Sequence, residues 1–182
     1  MSGLQDLLVK EMEDLLHAEN QLVKALPKMA KAAHEPKLRQ AFETHLKETE
    51  GHVERLQQAF ELLAKKPKTK VCHGMKGLVE EGQEQITEGK QKGEFLSDLA
   101  IVAAAQKVEH YEISAYGTLR TMAEKLGQSK LAALLAETLR EEEKADELLT
   151  EVSAPILNKA LESLETGADS RAGRMHATAG KH

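Results

Sequence analysis

Hydrophobic residues recur along the chain at intervals of three and four, the spacing of an apolar stripe on an α-helix. Over about Leu4 to Ala33 the stripe reads Leu8, Met12, Leu15, Glu19, Leu22, Leu26 and Met29. At the helical rise, these thirty residues make a rod of about 45 Å, with Pro27 the place where it would bend. His34-Glu35-Pro36 predicts a turn, and Pro36 suits the first position of a second helix running to about Ala64. The inward line of that helix includes Leu38, Phe42, His45/Leu46, Thr49, His52/Val53, Leu56 and Phe60. A basic break, Lys65-Lys66-Pro67-Lys68, separates it from a shorter helix over about Val71 to Gly89, and Gly89 to Gly93 reads as loop. A third long helix is expected from Phe95 to Leu126, stopped by Gly127. The fourth follows from Lys130 to Ser153, with Ser129 as its N-cap. Pro155 would kink or end it, and a last helical stretch reaches about Leu164. From Gly167 the sequence is small, polar and aperiodic, which predicts a disordered tail over 167–182 beyond a domain of 1–166.

The chain also repeats itself. A shift of 93 places His17-Ala18-Glu19 on His110-Tyr111-Glu112, Leu26 on Leu119, Leu38 on Leu131, Leu46 on Leu139, Glu48 on Glu141 and Leu56 on Leu149. Two similar helical hairpins follow, each with an apolar stripe it cannot bury alone. Packed together, they predict an all-α fold: a four-helix bundle with one long crossover that contains the short helix, plus the C-terminal helical stretch.

Composition removes most other classes. The 182 residues are 41% hydrophobic and 30% charged, with a formal net charge of −5 and only 3% aromatics. This is enough apolar material for one core and excludes global disorder, while the dominance of Ala, Leu, Glu and Lys argues against a β-sandwich. The mild acidity argues against a dedicated nucleic-acid binder. No apolar run approaches the roughly 18 residues of a membrane span. Met1-Ser2-Gly3-Leu4 has neither a signal-peptide pattern nor a glycine placed for myristoylation, so the expected compartment is the cytoplasm. Cys72 is the single cysteine, which rules out an internal disulfide or a thiolate zinc cage from one chain, and it is read as a small packed or semi-exposed residue in preference to a reactive thiol. Gly51 and Gly117 sit inside helices at a cost of about 1 kcal/mol each, for which close helix approach is one explanation. No phosphate-binding glycine loop, serine elbow or paired CxxC motif is present, which sets acyl- and phosphoryl-transfer chemistry aside.

The chemistry lies in what interrupts the apolar stripes. Glu19 falls on the apolar line of the first helix. His45, Glu48 and His52 share one face of the second, and Glu109, Glu112 and Tyr116 repeat that spacing on the third. On the fourth helix the candidates are Glu142 with Asp146, or Glu143 with Asp146; Glu142 is preferred because it continues the line Leu135, Leu139, Leu149. Each long helix thus offers an acid near mid-length and near its buried face. Taken singly, such residues are ordinary: a boundary glutamate reaches water past its packed stem, a semi-buried histidine finds a hydrogen bond, a Glu141-Glu142-Glu143 run is a solvated face, and Tyr111 and Tyr116 pack. Taken together they need a cause, because buried ionised carboxylates are costly and repel one another. Two divalent cations would resolve both problems, and an oxygen-rich set with one or two imidazoles favours iron or manganese. Such a centre could reduce peroxide or dioxygen. Neither helix two nor helix four carries a strict Glu-x-x-His: Thr49 stands three before His52. The competing expectation is a non-catalytic structural or stress-interaction protein whose acids form a polar network.

Several strings resemble the bacterial stress-associated ferritin-like proteins of the YciF/YciE type. They are Ala18-Glu19-Asn20-Gln21-Leu22, His45-Leu46-Lys47-Glu48-Thr49, Ala103 to Leu119 (AAAQKVEHYEISAYGTL), and Glu137-Thr138-Leu139 with the acidic run and Asp146 after it. The similarity spans about residues 3–160. It implies a rubrerythrin-related bundle, a homodimer, a dinuclear iron or manganese centre and a role under stress. Carried over residue by residue, it implies Glu19, Glu48, Glu112 and Glu142 as the four helices' carboxylates and Glu109 as the second acid of the third helix. His45 and His52 are then the imidazoles, and Asp146 stands where a histidine is usual. The rubredoxin-like cysteine module of full rubrerythrins is missing, and with it an in-chain electron donor.

Overall fold

A computed structural model describes residues 3–68, 70–89 and 91–178, with side chains through Leu164. Its elements are α1 (Gly3–Ala32), α2 (Pro36–Leu62), α3 (His73–Gly89), α4 (Glu94–Lys125) and α5 (Ser129–Thr178). The apolar lines read from the sequence are the buried faces. Leu8, Met12, Leu15, Leu22 and Leu26 of α1 meet Leu38, Phe42, Leu56 and Phe60 of α2, Ile101 and Leu119 of α4, and Leu131, Leu135 and Leu149 of α5 in one core.

α1 packs on α2 and α4 on α5, giving the two hairpins expected from the repeat, and the hairpins close through α2 against α5 and α1 against α4. The long crossover from α2 to α4 carries α3, which lies across α1 and α4. This is the ferritin-like bundle arrangement. Gly89 marks the tightest approach at the end of α3: a Cβ there would lie 2.5 Å from Ser97 Oγ and 3.2 Å from its Cα. Gly51 and Gly117 are different. A Cβ on Gly117 would meet nothing within 4 Å, and one on Gly51 only the Arg55 guanidinium at 3.7 Å, so close helix approach does not explain either.

The ends of the helices follow local rules. Pro36 opens α2 from an extended Glu35. The turn before it is held by the buried Asp98 of α4, whose oxygens accept from the backbone N–H of His34 (2.9 Å) and Glu35 (2.7 Å). α2 and α4 both end in a Schellman motif. Lys65 N donates to the Phe60 carbonyl with Ala64 at φ 50°, and Gln128 N to the Ala123 carbonyl with Gly127 at φ 71°. α5 begins at Ser129, and Ala132 N donates to the Gln128 carbonyl, so Gln128 takes the capping position expected of Ser129.

Both internal prolines are accommodated within helices: α1 continues through Pro27 and α5 through Pro155. The expected break after Ser153 is therefore absent. Packing of Val152, Ile156 and Ala160 on either side of the proline, all buried, outweighs one lost backbone hydrogen bond. Helical backbone extends to Thr178, past Gly167 where the tail was placed; residues 179–182 of that tail lie outside the described residues.

Candidate metal centre

At mid-height the four long helices turn polar side chains inward. Glu19 stands between the buried Leu15 and Leu22 on α1. α2 supplies His45 and His52, one face apart by seven residues; α4 supplies Glu109 and Glu112; α5 supplies Glu142. All six are buried, four of them (Glu19, His52, Glu112, Glu142) with no exposed surface.

Their ligand atoms form two groups in which every atom lies within 4.8 Å of the others: His45, Glu109, Glu112 and Glu142 in one, Glu19, His52 and Glu142 in the other. Glu142 belongs to both. Its Oε1 is 2.9 Å from His52 Nδ1, and its Oε2 is 3.5 Å from His45 Nε2. His45 Nε2 also faces Glu109 at 3.4 Å, and His52 Nδ1 faces Glu19 at 3.5 Å.

Buried polar atoms are normally hydrogen-bonded. Here both oxygens of Glu112 and of Glu142, Glu19 Oε2, Glu109 Oε2, His45 Nε2 and His52 Nδ1 are buried without a hydrogen-bond partner. They belong to the six residues that make up the two groups. A donor set of four carboxylates and two imidazoles, bare toward one small space, fits two divalent cations: four negative charges offset four positive ones, with both imidazoles neutral.

The outward nitrogen of each imidazole is already engaged. His45 Nδ1 lies 3.4 Å from Glu48 Oε2, and His52 Nε2 lies 2.9 Å from Glu141 Oε2. Arg55 fixes Glu141, its Nη2 donating to Glu141 Oε2 (2.5 Å) and its Nη1 to Thr138 Oγ1 (2.6 Å). A carboxylate behind each histidine holds the proton on the outward nitrogen and leaves the inward lone pair free, the usual outer-shell arrangement of a histidine ligand. Glu48 and Glu141 are 141 − 48 = 93 residues apart, the register of the internal repeat. Tyr116, fully buried, donates its hydroxyl to Glu19 Oε1 in a short hydrogen bond and orients that carboxylate.

Without cations the cluster must hold protons. Burial, reinforced by the neighbouring carboxylates, pushes Glu112 well above the usual range. Burial likewise raises Glu19, against the opposing pull of His52, and lifts Glu109 to about 8 despite His45. For Glu142 burial pulls upward too, but the His52 ring 2.9 Å away and the charge of His45 hold it below its ordinary value. Burial opposes charge on the imidazoles, yet the surrounding carboxylates outweigh it, raising His45 to about 9 and His52 to about 10.

The structure therefore brings together Glu19, His45, His52, Glu109, Glu112 and Glu142. Glu48 stands behind His45, partly exposed, outside both groups. Asp146 is turned to the α4–α5 rim, where Gln106 Nε2 donates to it at 3.1 Å and His110 lies 3.4 Å away. Thr49, at the position of the missing glutamate, bonds the His45 carbonyl through its own hydroxyl (2.8 Å) and offers the cluster nothing. Glu141, Arg55 and the hydrogen-bonding role of Tyr116 were not legible as site features. The 93-residue register pairing Glu141 with Glu48 was the available signal. Cys72 is buried as expected, with its thiol 3.0 Å from the Tyr111 hydroxyl, which in turn donates to Asp14.

Fold and site together define a four-helix bundle with a buried carboxylate–imidazole cluster shared by all four long helices. The chain belongs to the family described as Domain of unknown function (DUF892), which matches residues 3–162. It is 46% identical over 164 residues to Protein YciF of Escherichia coli (strain K12), covering 90% of this chain and 98% of that protein. The crystal structure of the E. coli stress protein YciF superposes with a TM-score of 0.83 at 45% identity, over 87% of this chain and 99% of that one. YcfI of Rhodopseudomonas palustris, described as a candidate structural protein, superposes at 0.77 with 41% identity, over 82% and 94%. A protein of Xanthomonas campestris pv. campestris shares the fold at 22% identity, with a TM-score of 0.69 over 90% of this chain and 99% of that one. Among the described residues no helix is long and apolar enough to cross a membrane.

Proposed function

We propose that this chain is a dinuclear-metal protein, holding iron or manganese, that acts on peroxide or dioxygen, or handles iron, under stress in the cytoplasm. The observation that carries this is Glu142, whose two oxygens face the two imidazoles of two separate ligand groups. His45, Glu109 and Glu112 would hold one ion, Glu19 and His52 the other, and Glu142 would bridge them. Bound iron or manganese would supply the redox couple for reducing a small oxidant. The protein's own part is to hold the ligands: Glu48 and Glu141 orient the imidazoles, Arg55 fixes Glu141, and Tyr116 fixes Glu19. Two chains pair as a homodimer in this reading, supported by the exposed Leu157, Leu161 and Leu164 along one side of α5. Untagged protein is to be analysed for metals as purified and after anaerobic loading with ferrous or manganous ion. Two ions per chain are expected; sub-stoichiometric metal that loading does not raise overturns the proposal.

A second reading, a structural or stress-interaction protein with a degenerate site, is favoured by Thr49 in the place of a ligand. It expects Glu19→Ala with Glu112→Ala to leave cellular stress tolerance unchanged. Loss of tolerance with the fold intact, shown by an unchanged circular dichroism spectrum, counts against it.

A further inference from the structure

We propose that a narrow cleft between α2 and α5, ending on His45 and Glu109, is the entry channel to this centre, sized for an uncharged oxidant of two heavy atoms and closed to organic hydroperoxides. The inference rests on the metal-centre reading and adds the substrate class that can reach it.

Two independent observations meet at this cleft. His45 and Glu109 are among the residues that line it, and its volume is about 60 Å³. Within the cluster, those two residues alone retain measurable exposure, 5% and 2%, while Glu19, His52, Glu112 and Glu142 have none. The centre thus meets solvent on the side where the cleft arrives. Size does not select it: clefts of about 200 and 370 Å³ elsewhere on the bundle have none of the six ligand residues in their walls.

The dimensions and the lining decide what passes. A cleft of this volume holds a few water-sized molecules, with no room for a branched organic chain. Its walls are Ala41, Phe42, Ala145, Leu148 and Leu149, with Thr44, Glu48 and Lys144 as the polar residues beside them. An ion moving between such walls would lose hydration with little in return, whereas dioxygen and hydrogen peroxide stay uncharged throughout. Ala145 is small, nearly buried, and directly follows Lys144, so a larger side chain there closes the passage. Leu148 is 37% exposed, so truncating it opens the passage without emptying the core.

The test uses the full chain and two variants outside the ligand set, Ala145→Leu and Leu148→Ala, each checked for wild-type thermal stability. In metal-free protein under dissolved oxygen pressure, paramagnetic relaxation of methyl protons reports where the gas resides. Ala41 and Leu149 are expected to relax several-fold more than the comparably buried Ala132 and Leu26, and Ala145→Leu is expected to remove the difference. In ferrous-loaded protein, nitric oxide serves as a two-atom probe read by absorbance. Its association should slow at least about tenfold in Ala145→Leu, with iron stoichiometry unchanged. Ferrous-loaded wild-type protein, its two ferrous ions supplying the two electrons, should reduce hydrogen peroxide to water and leave cumene hydroperoxide unreduced, and Leu148→Ala should reduce both. Absence of preferential relaxation at Ala41 and Leu149, or equal nitric oxide rates in three fully loaded proteins, or wild-type turnover of cumene hydroperoxide, each overturns the channel. The expected relaxation pattern with no nitric oxide signal in any protein retains the channel as a gas path and overturns the metal-centre reading instead.

Discussion

Glu142 Oε1 lies 2.9 Å from His52 Nδ1, while the second oxygen of Glu142 is turned to His45. One side chain on α5 thereby couples two imidazoles seven residues apart on α2. Glu142→Gln keeps its shape but removes the charge that both ligand groups share. It should therefore lose both metal ions, weakening affinity by more than about a hundredfold, beyond the effect usual for an outer-shell partner. Glu19→Ala touches one group and should retain one ion per chain. Elemental analysis after anaerobic loading separates the two results, and equal stoichiometry in both variants would contradict a bridge.

The metal-free protein should lose stability as the pH rises from neutral. Glu109 titrates near 8 in the folded chain against an ordinary 4.5, and His45 and His52 near 9 and 10 against 6.5. Each folded value is raised. The stability each group adds is complete below its ordinary value and is lost as the pH climbs through the folded one. Between pH 6.5 and 9 the metal-free chain should lose more than about 1 kcal/mol, a few degrees of melting temperature for this size. Cations compete with those same protons, so metal affinity should rise over the same interval, and loading should release protons into weakly buffered solution. A melting temperature that rises with pH in metal-free protein would show that the cluster is not protonated in this way.

The architecture was legible because helical stripes and a 93-residue repeat are properties of one chain read along its length. Glu19 and Glu142 were legible for the same reason, each replacing a hydrophobic residue on a stripe, and Glu112 because the repeat places Glu19 on it. Asp146 shows the limit. It continues the line of Leu139, Glu142 and Leu149, yet its short side chain stops at Gln106 and His110 on the rim. Periodicity gives the angle of a side chain around its helix and not its reach or its neighbour. Glu141 fails in the opposite direction: an acid in an acidic run reads as solvated until Arg55 and His52 of another helix are placed beside it.

Two backbone positions carry removable cost. Ala64 holds a left-handed φ of 50° where the equivalent cap of α4 has Gly127. Ala64→Gly should stabilise by roughly 0.5–1 kcal/mol, the strain relieved being partly offset by a freer unfolded chain. Gly117 lies inside α4 with open space where its Cβ would be, so Gly117→Ala should add about 0.5–1 kcal/mol by the reverse entropy argument. Chemical denaturation of the two single variants and the double checks both values, and with nothing within 4 Å of the added Gly117 Cβ they should add. Destabilisation by Gly117→Ala would point to a constraint on α4 next to Tyr116 beyond backbone propensity.

Arg55 touches no ligand atom and still should control one metal site. Its guanidinium holds Glu141 through Nη2 and Thr138 through Nη1, and Glu141 holds the outward nitrogen of His52. Arg55→Met retains much of the packing stem while releasing Glu141 to solvent, so His52 loses the fixed carboxylate that selects its tautomer. Outer-shell losses of this kind cost about 10–100-fold in metal affinity. The loss should fall on the site formed with Glu19 and leave the site formed by His45, Glu109 and Glu112 intact, since His45 has its own carboxylate in Glu48. Titration with cobaltous ion should then show two classes of site, where the wild type is expected to show one. Glu141→Gln, which preserves a hydrogen-bond acceptor for His52, should fall between the wild type and Arg55→Met. If both variants bind two ions as tightly as the wild type, His52 is oriented by its packing alone and the chain from Arg55 to the centre has no functional weight.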